Sequence, residues 1–209
     1  MAPPAKTTSR RGRRQGEPVS RDAVLRAAKQ RFAEEGYEKT TLRAIANDAH
    51  VDPSMVLYLF GSKAELFRES LRLIIDPDVL AAALADGEGD IGTRMVRKYL
   101  EIWEHPDTAA SMVAMLQSAT SNPDAHEAFR AFMQRYVLTA VSGALGGGEQ
   151  ARLRALLAAT NLVGTAILRY VMQVAPLAEL PAEDVVRLIA PSVTRYLTAP
   201  AEELGLSGL

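Results

Sequence analysis

The chain has 209 residues, 48% hydrophobic and 23% charged, a composition that supplies a sizeable core and excludes a disordered protein. It contains no cysteine, which excludes disulfide scaffolds, thiolate nucleophiles and cysteine-ligated metals and suits a reducing compartment. A net charge of −1 conceals a split: residues 1–75 hold 14 Lys and Arg against 9 Asp and Glu, whereas residues 76–209 hold 10 against 16.

Residues 1–19 mix Pro, Ala, Thr, Ser and Gly with Lys6, Arg10, Arg11, Arg13 and Arg14, and read as a disordered basic arm. No apolar run follows these charges, so they do not start a secretory signal. The next 56 residues, 20–75, read as four helices. Ser20 caps the first, with Leu25, Ala28 and Phe32 on one face and Gly36 at its end. Thr40 or Thr41 caps a second helix whose inner face is Leu42, Ile45, Ala46 and Ala49. After the turn at His50, Asp52 and Pro53 begin a two-turn third helix with Val56, Leu59 and Phe60 inward, stopped by Gly61. Ser62 and Glu65 form a capping-box pattern at the start of the fourth.

Six further helices are predicted over about 77–85, 91–104, 107–119, 123–145, 149–175 and 181–198, separated by Gly- and Pro-rich breaks, with a bend at Pro191 in the last. No segment alternates with period two, so the expected fold is all-α. The longest apolar stretch, 155–168, is broken by Asn161 and stopped by Arg169, short of the ~20 residues of a membrane span. No membrane partner and a cytoplasmic location are expected.

Two short helices joined by a three-residue turn and covered by a longer one form a helix-turn-helix pattern. The third helix would enter a DNA major groove with Pro53, Ser54, Met55, Leu57 and Tyr58 outward, while Thr40, Thr41 and Ser54 at helix starts suit phosphates. A basic head on an acidic body fits that assignment. The arm is either a solvated tail or a segment that reaches along the backbone or into a minor groove.

The blocks Phe32-Ala33-Glu34-Glu35-Gly36-Tyr37, Thr41-Leu42-Arg43-Ala44-Ile45-Ala46 and Leu57-Tyr58-Leu59-Phe60-Gly61-Ser62-Lys63-Ala64-Glu65-Leu66 resemble the DNA-binding domain of the TetR family of bacterial transcription regulators. The resemblance implies a homodimeric regulator, usually a repressor, that releases a double-stranded DNA operator when a small molecule enters its C-terminal domain. It assigns phosphate contacts to Thr41 and Lys63 and adds Arg43 on the second helix. The family usually has Tyr where Leu57 stands, His where Leu59 stands and Gly where His50 stands; Tyr58 would supply the tyrosine contact from one position later.

The remaining 134 residues, 76–209, read as an effector-binding and dimerisation domain. Met95, Tyr99, Trp103, Met112, Met115, Leu116, Phe129, Phe132, Met133 and Tyr136 recur at helical spacing on three successive helices. A core rich in Met and aromatics packs adaptably, which suits a small apolar or aromatic effector. The last two helices carry apolar faces, Leu156, Thr160, Gly164, Ile167 and Val171 on one and Val185, Ile189, Val193 and Tyr196 on the other, which the resemblance assigns to a dimer interface. His50, His105 and His126 lack metal-ligand spacing, and no nucleophile or phosphate-loop motif is present, so neither a cofactor nor an enzyme is expected. The alternative reading is a helical small-molecule or lipid carrier whose first helices are structural.

Overall fold

The computed structural model describes residues 21–207, so the arm with Lys6, Arg10, Arg11, Arg13 and Arg14 lies outside the described residues. Its regular elements are all helical: α1 (Arg21–Lys39), α2 (Leu42–Asp48), α3 (Pro53–Phe60), α4 (Lys63–Leu71), α5 (Pro77–Ala85), α6 (Ile91–Glu104), α7 (Ala109–Ser121), α8 (Pro123–Phe132), α9 (Leu138–Ala144), α10 (Gly148–Ala166) and α11 (Ala182–Thr198). A π-helical turn, Met133–Val137, joins α8 to α9, and another, Ile167–Val171, extends α10.

Local chemistry sets most helix starts. The side chains of Thr41, Asp52, Ser62, Asp76, Asp90 and Asn122 each accept a backbone N–H in the first turn of the helix that follows. Pro53, Pro77 and Pro123 stand at the first helical position, where a missing N–H costs nothing. At Ser62 half of the capping box forms; Glu65 pairs with Arg68 instead of returning to the Ser62 amide. The helix expected over 149–175 ends four residues early, and α11 runs through Pro191 as one helix.

Phe32 and Tyr37 from α1 meet Phe67 from α4 edge-on, with ring centroids 4.9 and 5.1 Å apart, and pin α1 to α4. Arg31 ties α1 to α2 by bonding both carboxylate oxygens of Asp48 while also reaching Glu35. Apolar packing then continues without a break through α7 and α8, so the core of the head and part of the body's core form one cluster. A second cluster lies between α6, α10 and α11. There Gly92 lets α6 touch α11: its N–H donates to Thr194 Oγ1, and a Cβ at this position would lie 2.5 Å from the Ala190 carbonyl oxygen.

Over Gly148–Val171, α10 and its π turn have the length and composition to cross a membrane, which the 14-residue apolar run in the sequence does not. Its two buried arginines argue for packing inside a helical domain. Arg154 donates to the Tyr196 and Ala199 carbonyls at the end of α11, and Arg169 donates to Leu177, Leu180 and Glu104.

Candidate nucleic-acid interface and apolar cavity

The turn between α2 and α3 depends on a left-handed residue. His50 has φ 55°, and the Val51 N–H closes back on the Ala46 carbonyl at 2.9 Å. With α3 set by this turn, Val56 and Phe60 are buried, Leu59 packs against the core, and the opposite face is free. Tyr58 is 84% exposed and Leu57 48%, values that make α3 a helix with an unpartnered outer face. Ser54 is exposed beside them, while Pro53 and Met55 are half-buried at the rim.

The expected phosphate ligands separate. Thr41 and Arg43 are exposed, and Thr41 Oγ1 accepts the Ala44 N–H, which leaves its own hydroxyl proton for an acceptor outside the protein. Thr40, expected to face a phosphate, is instead wholly buried, and its hydroxyl donates toward the Arg31 and Gly36 carbonyls at 3.1 and 2.8 Å, where it closes the end of α1. The Ser54 N–H is also spent, on Asp52 Oδ1 at 2.8 Å, and Ser54 holds that carboxyl below the usual range. Lys63 turns inward. Its ammonium stands 4.4 Å from the Tyr37 ring centroid and donates to the Glu38 carbonyl at 3.3 Å, and burial lowers its pKa.

Behind the head, a cavity of about 70 Å³ opens between α6, α7, α8, α9 and α10. Eight of the ten expected residues line it: Met95, Tyr99, Trp103, Met112, Met115, Leu116, Phe129 and Met133. Phe132 and Tyr136 do not. They share the next face of the same helical run, turned to α4, where Phe132 is fully buried, Tyr136 lies under Arg72 and its hydroxyl meets Glu69 at 3.4 Å. Sequence reasoning missed Val137, Leu138 and Val141, which the π turn brings round to the cavity, and Ala155, Ala159 and Leu162 on α10. Among the described residues no charged side chain lines it.

Trp103 anchors one wall. Its indole stacks on Tyr170 at 5.1 Å with an interplanar angle of 7°, and the Tyr170 hydroxyl donates to Glu104 at 2.8 Å. Burial, assisted by Glu104, pushes the Tyr170 phenol up to about 12. Both π turns therefore flank the cavity, one directly through Met133 and Val137 and the other through Tyr170 behind Trp103.

α7 touches both the cavity and the head. On α7, Met112, Met115 and Leu116 face the cavity, and one turn later Ser118 accepts the buried Tyr37 N–H at 3.1 Å. Asn122, which follows the helix, donates to the Glu38 carboxylate.

The outer faces of α10 and α11 differ from the expected interface at two places. Val185 and Val193 are wholly buried within one chain, because α6 packs across that side of α11. The exposed apolar residues are Leu156, Leu168, Met172 and Leu188, the last 60% exposed. Thr160 is exposed, and Gly164, Ile167, Val171, Ile189 and Tyr196 are half-buried.

Residues 89–197, more than half of the chain, match the family described as the tetracyclin repressor-like C-terminal domain, and residues 24–70 match the bacterial regulatory proteins of the tetR family. The chain belongs to the TetR family. A TetR-family regulator from Streptomyces coelicolor is 35% identical, with a TM-score of 0.61 over 89% of this chain and 98% of its own. Two more distant structures share the fold. NalD, the secondary repressor of the MexAB-OprM multidrug efflux pump in Pseudomonas aeruginosa, is 21% identical with a TM-score of 0.57, covering 82% of this chain and 93% of its own. The multidrug binding protein EbrR, complexed with imidazole, is 19% identical with a TM-score of 0.60, covering 88% and 93%. No curated protein matches the chain. As a TetR-family member the protein is a DNA-binding transcription regulator with a helical ligand-binding domain.

Proposed function

We propose that the protein is a cytoplasmic, non-enzymatic repressor that holds a palindromic operator as a homodimer and releases it when a small uncharged effector enters the cavity. Residues 20–75 form the reading head and 76–209 the effector and dimerisation domain. The observation that carries the reading is α7, which lines the cavity and two residues later bonds the head through Ser118 and Tyr37.

Base contact falls to Ser54, Met55, Leu57 and Tyr58 with Pro53 at the rim, and phosphate contact to Thr41 and Arg43. The outer face of α10 and α11, with Leu156, Thr160, Leu168 and Leu188, would pair with its copy across a two-fold axis and set two reading helices one DNA turn apart. NalD, a repressor, and EbrR, a multidrug binding protein, share this fold, which supports the same reading.

A cavity of about 70 Å³ is far below the roughly 300–1,000 Å³ of ordinary ligand sites. An effector must widen it by moving Met112, Met115 and their helix, so it favours a state other than the closed one, which is the condition for coupling. Sequencing the genomic DNA retained by the purified protein tests the reading. The expected result is one inverted repeat bound by a dimer; a monomer that binds half-sites as tightly as whole ones overturns it.

A further inference from the structure

The residues that line the cavity are apolar but for Trp103 and Tyr99, whose side chains carry an indole N–H and a phenol O–H. Trp103 is only 2% exposed, and among the described residues no acceptor stands in hydrogen-bond geometry to its indole Nε1–H. A buried donor left unmade costs about 1–3 kcal/mol, and a core indole ordinarily finds a partner. The ring stacks on Tyr170, with Tyr99 edge-on at 6.2 Å, and the Tyr99 hydroxyl beside it stands outside hydrogen-bond geometry. The Tyr99 phenol is pushed above its ordinary range by burial, with the nearby Trp103 N–H opposing the shift, which keeps it neutral. Water is a poor answer here. It needs two to four polar partners, and these two side chains are the polar groups on offer.

Resting on the reading of the cavity as the effector site, we propose that the effector is an uncharged, largely apolar molecule carrying one hydrogen-bond acceptor, such as a ketone, ester, lactone or ring nitrogen, which the Trp103 Nε1–H engages. A carboxylate would have no cation to meet it and an ammonium no carboxylate, since the lining is uncharged. A pure hydrocarbon would fill the space and leave the indole unpaired. Sites that offer a buried donor discriminate strongly against ligands lacking the matching group.

Indane and 1-indanone share a ring system and differ by one carbonyl, and the chain's single tryptophan gives one indole signal in a nitrogen–proton correlation spectrum. With the full chain, calorimetry is expected to show 1-indanone binding about tenfold more tightly than indane, with the indole proton moving downfield only for the ketone. In Trp103→Phe, which keeps an aromatic ring, the preference is expected to vanish while indane affinity persists. Equal binding of the two probes, an unmoved indole proton, or a preference retained in Trp103→Phe overturns the proposal and leaves the cavity as an effector site. Failure of both probes to bind at millimolar concentration overturns the effector site itself, and the acceptor with it. Should Trp103→Phe not fold, the wild-type affinities and the indole shift decide alone.

Discussion

Ser118 Oγ accepts the backbone N–H of Tyr37 at 3.1 Å, a buried bond between residues 81 apart in the chain. Gly36 makes it possible: with φ 74° it kinks α1 and turns the following amide toward α7. Tyr37 in turn carries Lys63 over its ring and packs on Phe67 of α4. These contacts link α7 to the start of α4, beside the reading helix. Replacing Ser118 by Ala leaves the Tyr37 amide without its acceptor, so unfolding free energy is expected to fall by about 1–3 kcal/mol in urea titration. Effector affinity should change little, since Ser118 does not line the cavity. The change in operator affinity caused by effector should shrink, measured by fluorescence anisotropy; an unaltered response would remove the bond from the coupling route.

His50 is strained where relatives in the family place glycine. A non-glycine residue in the left-handed region costs about 1–2 kcal/mol, offset by the roughly 0.5–1 kcal/mol of extra chain entropy that glycine loses on folding. His50→Gly is therefore expected to stabilise the protein by about 0.5–1 kcal/mol, a rise of about 1–4 °C in Tm by calorimetry. His50 is exposed, so no packing is lost. A lower Tm would show that the side chain does something the backbone angle does not reveal.

The head was legible in the sequence because its signals are local. Thr41, Asp52 with Pro53, and Ser62 each act within three residues of themselves, and all three cap helices where they were expected. Thr40 was not legible, because the end of α1 reaches back to claim its hydroxyl through the Arg31 and Gly36 carbonyls. In the body, periodicity identifies an apolar face but not what covers it. The stripe through Val185 and Val193 is a true helical face, and α6 occupies it within the same chain. Phe132 and Tyr136 fall beside the cavity face for a related reason. Phe129 and Met133 stand four apart on one side of the helix, Phe132 and Tyr136 four apart on the next, and only the packing of α4 tells the two apart.

Leu188 and Val193 on α11 separate the proposed interface from the core. Leu188 is 60% exposed and Val193 wholly buried, so the same substitution is expected to act differently at each. Leu188→Asp should shift the protein from dimer to monomer in light scattering at micromolar concentration and leave its helical circular dichroism unchanged. Val193→Asp places an unpaired carboxylate inside the cluster between α6, α10 and α11 and should abolish cooperative unfolding. If Leu188→Asp stays dimeric, the face of α11 is not part of the interface.

Arg43 and Lys63 both carry positive charge near the reading helix, and they differ in what surrounds that charge. Arg43 is exposed on α2, whereas the Lys63 ammonium is desolvated between the Tyr37 ring and the Glu38 carbonyl. Each phosphate contact made by a cation contributes about 0.9 to the slope of log K against log salt on duplex DNA. Arg43→Ala is expected to flatten that slope by about 0.9 for every chain that makes the contact, with the preference among operator sequences kept. Lys63→Ala should leave the slope nearly unchanged and lower the unfolding free energy instead, since it strips a cation from the Tyr37 ring, where such a contact is worth about 0.5–2 kcal/mol. Glu38 and Asp124 are the acidic groups that favour the charged form of Lys63, and burial works against them. A slope that falls by a full unit in Lys63→Ala would mean that the ammonium leaves Tyr37 when DNA arrives, and that the head's contact with α7 through Tyr37 is loosened by the operator as well as by the effector.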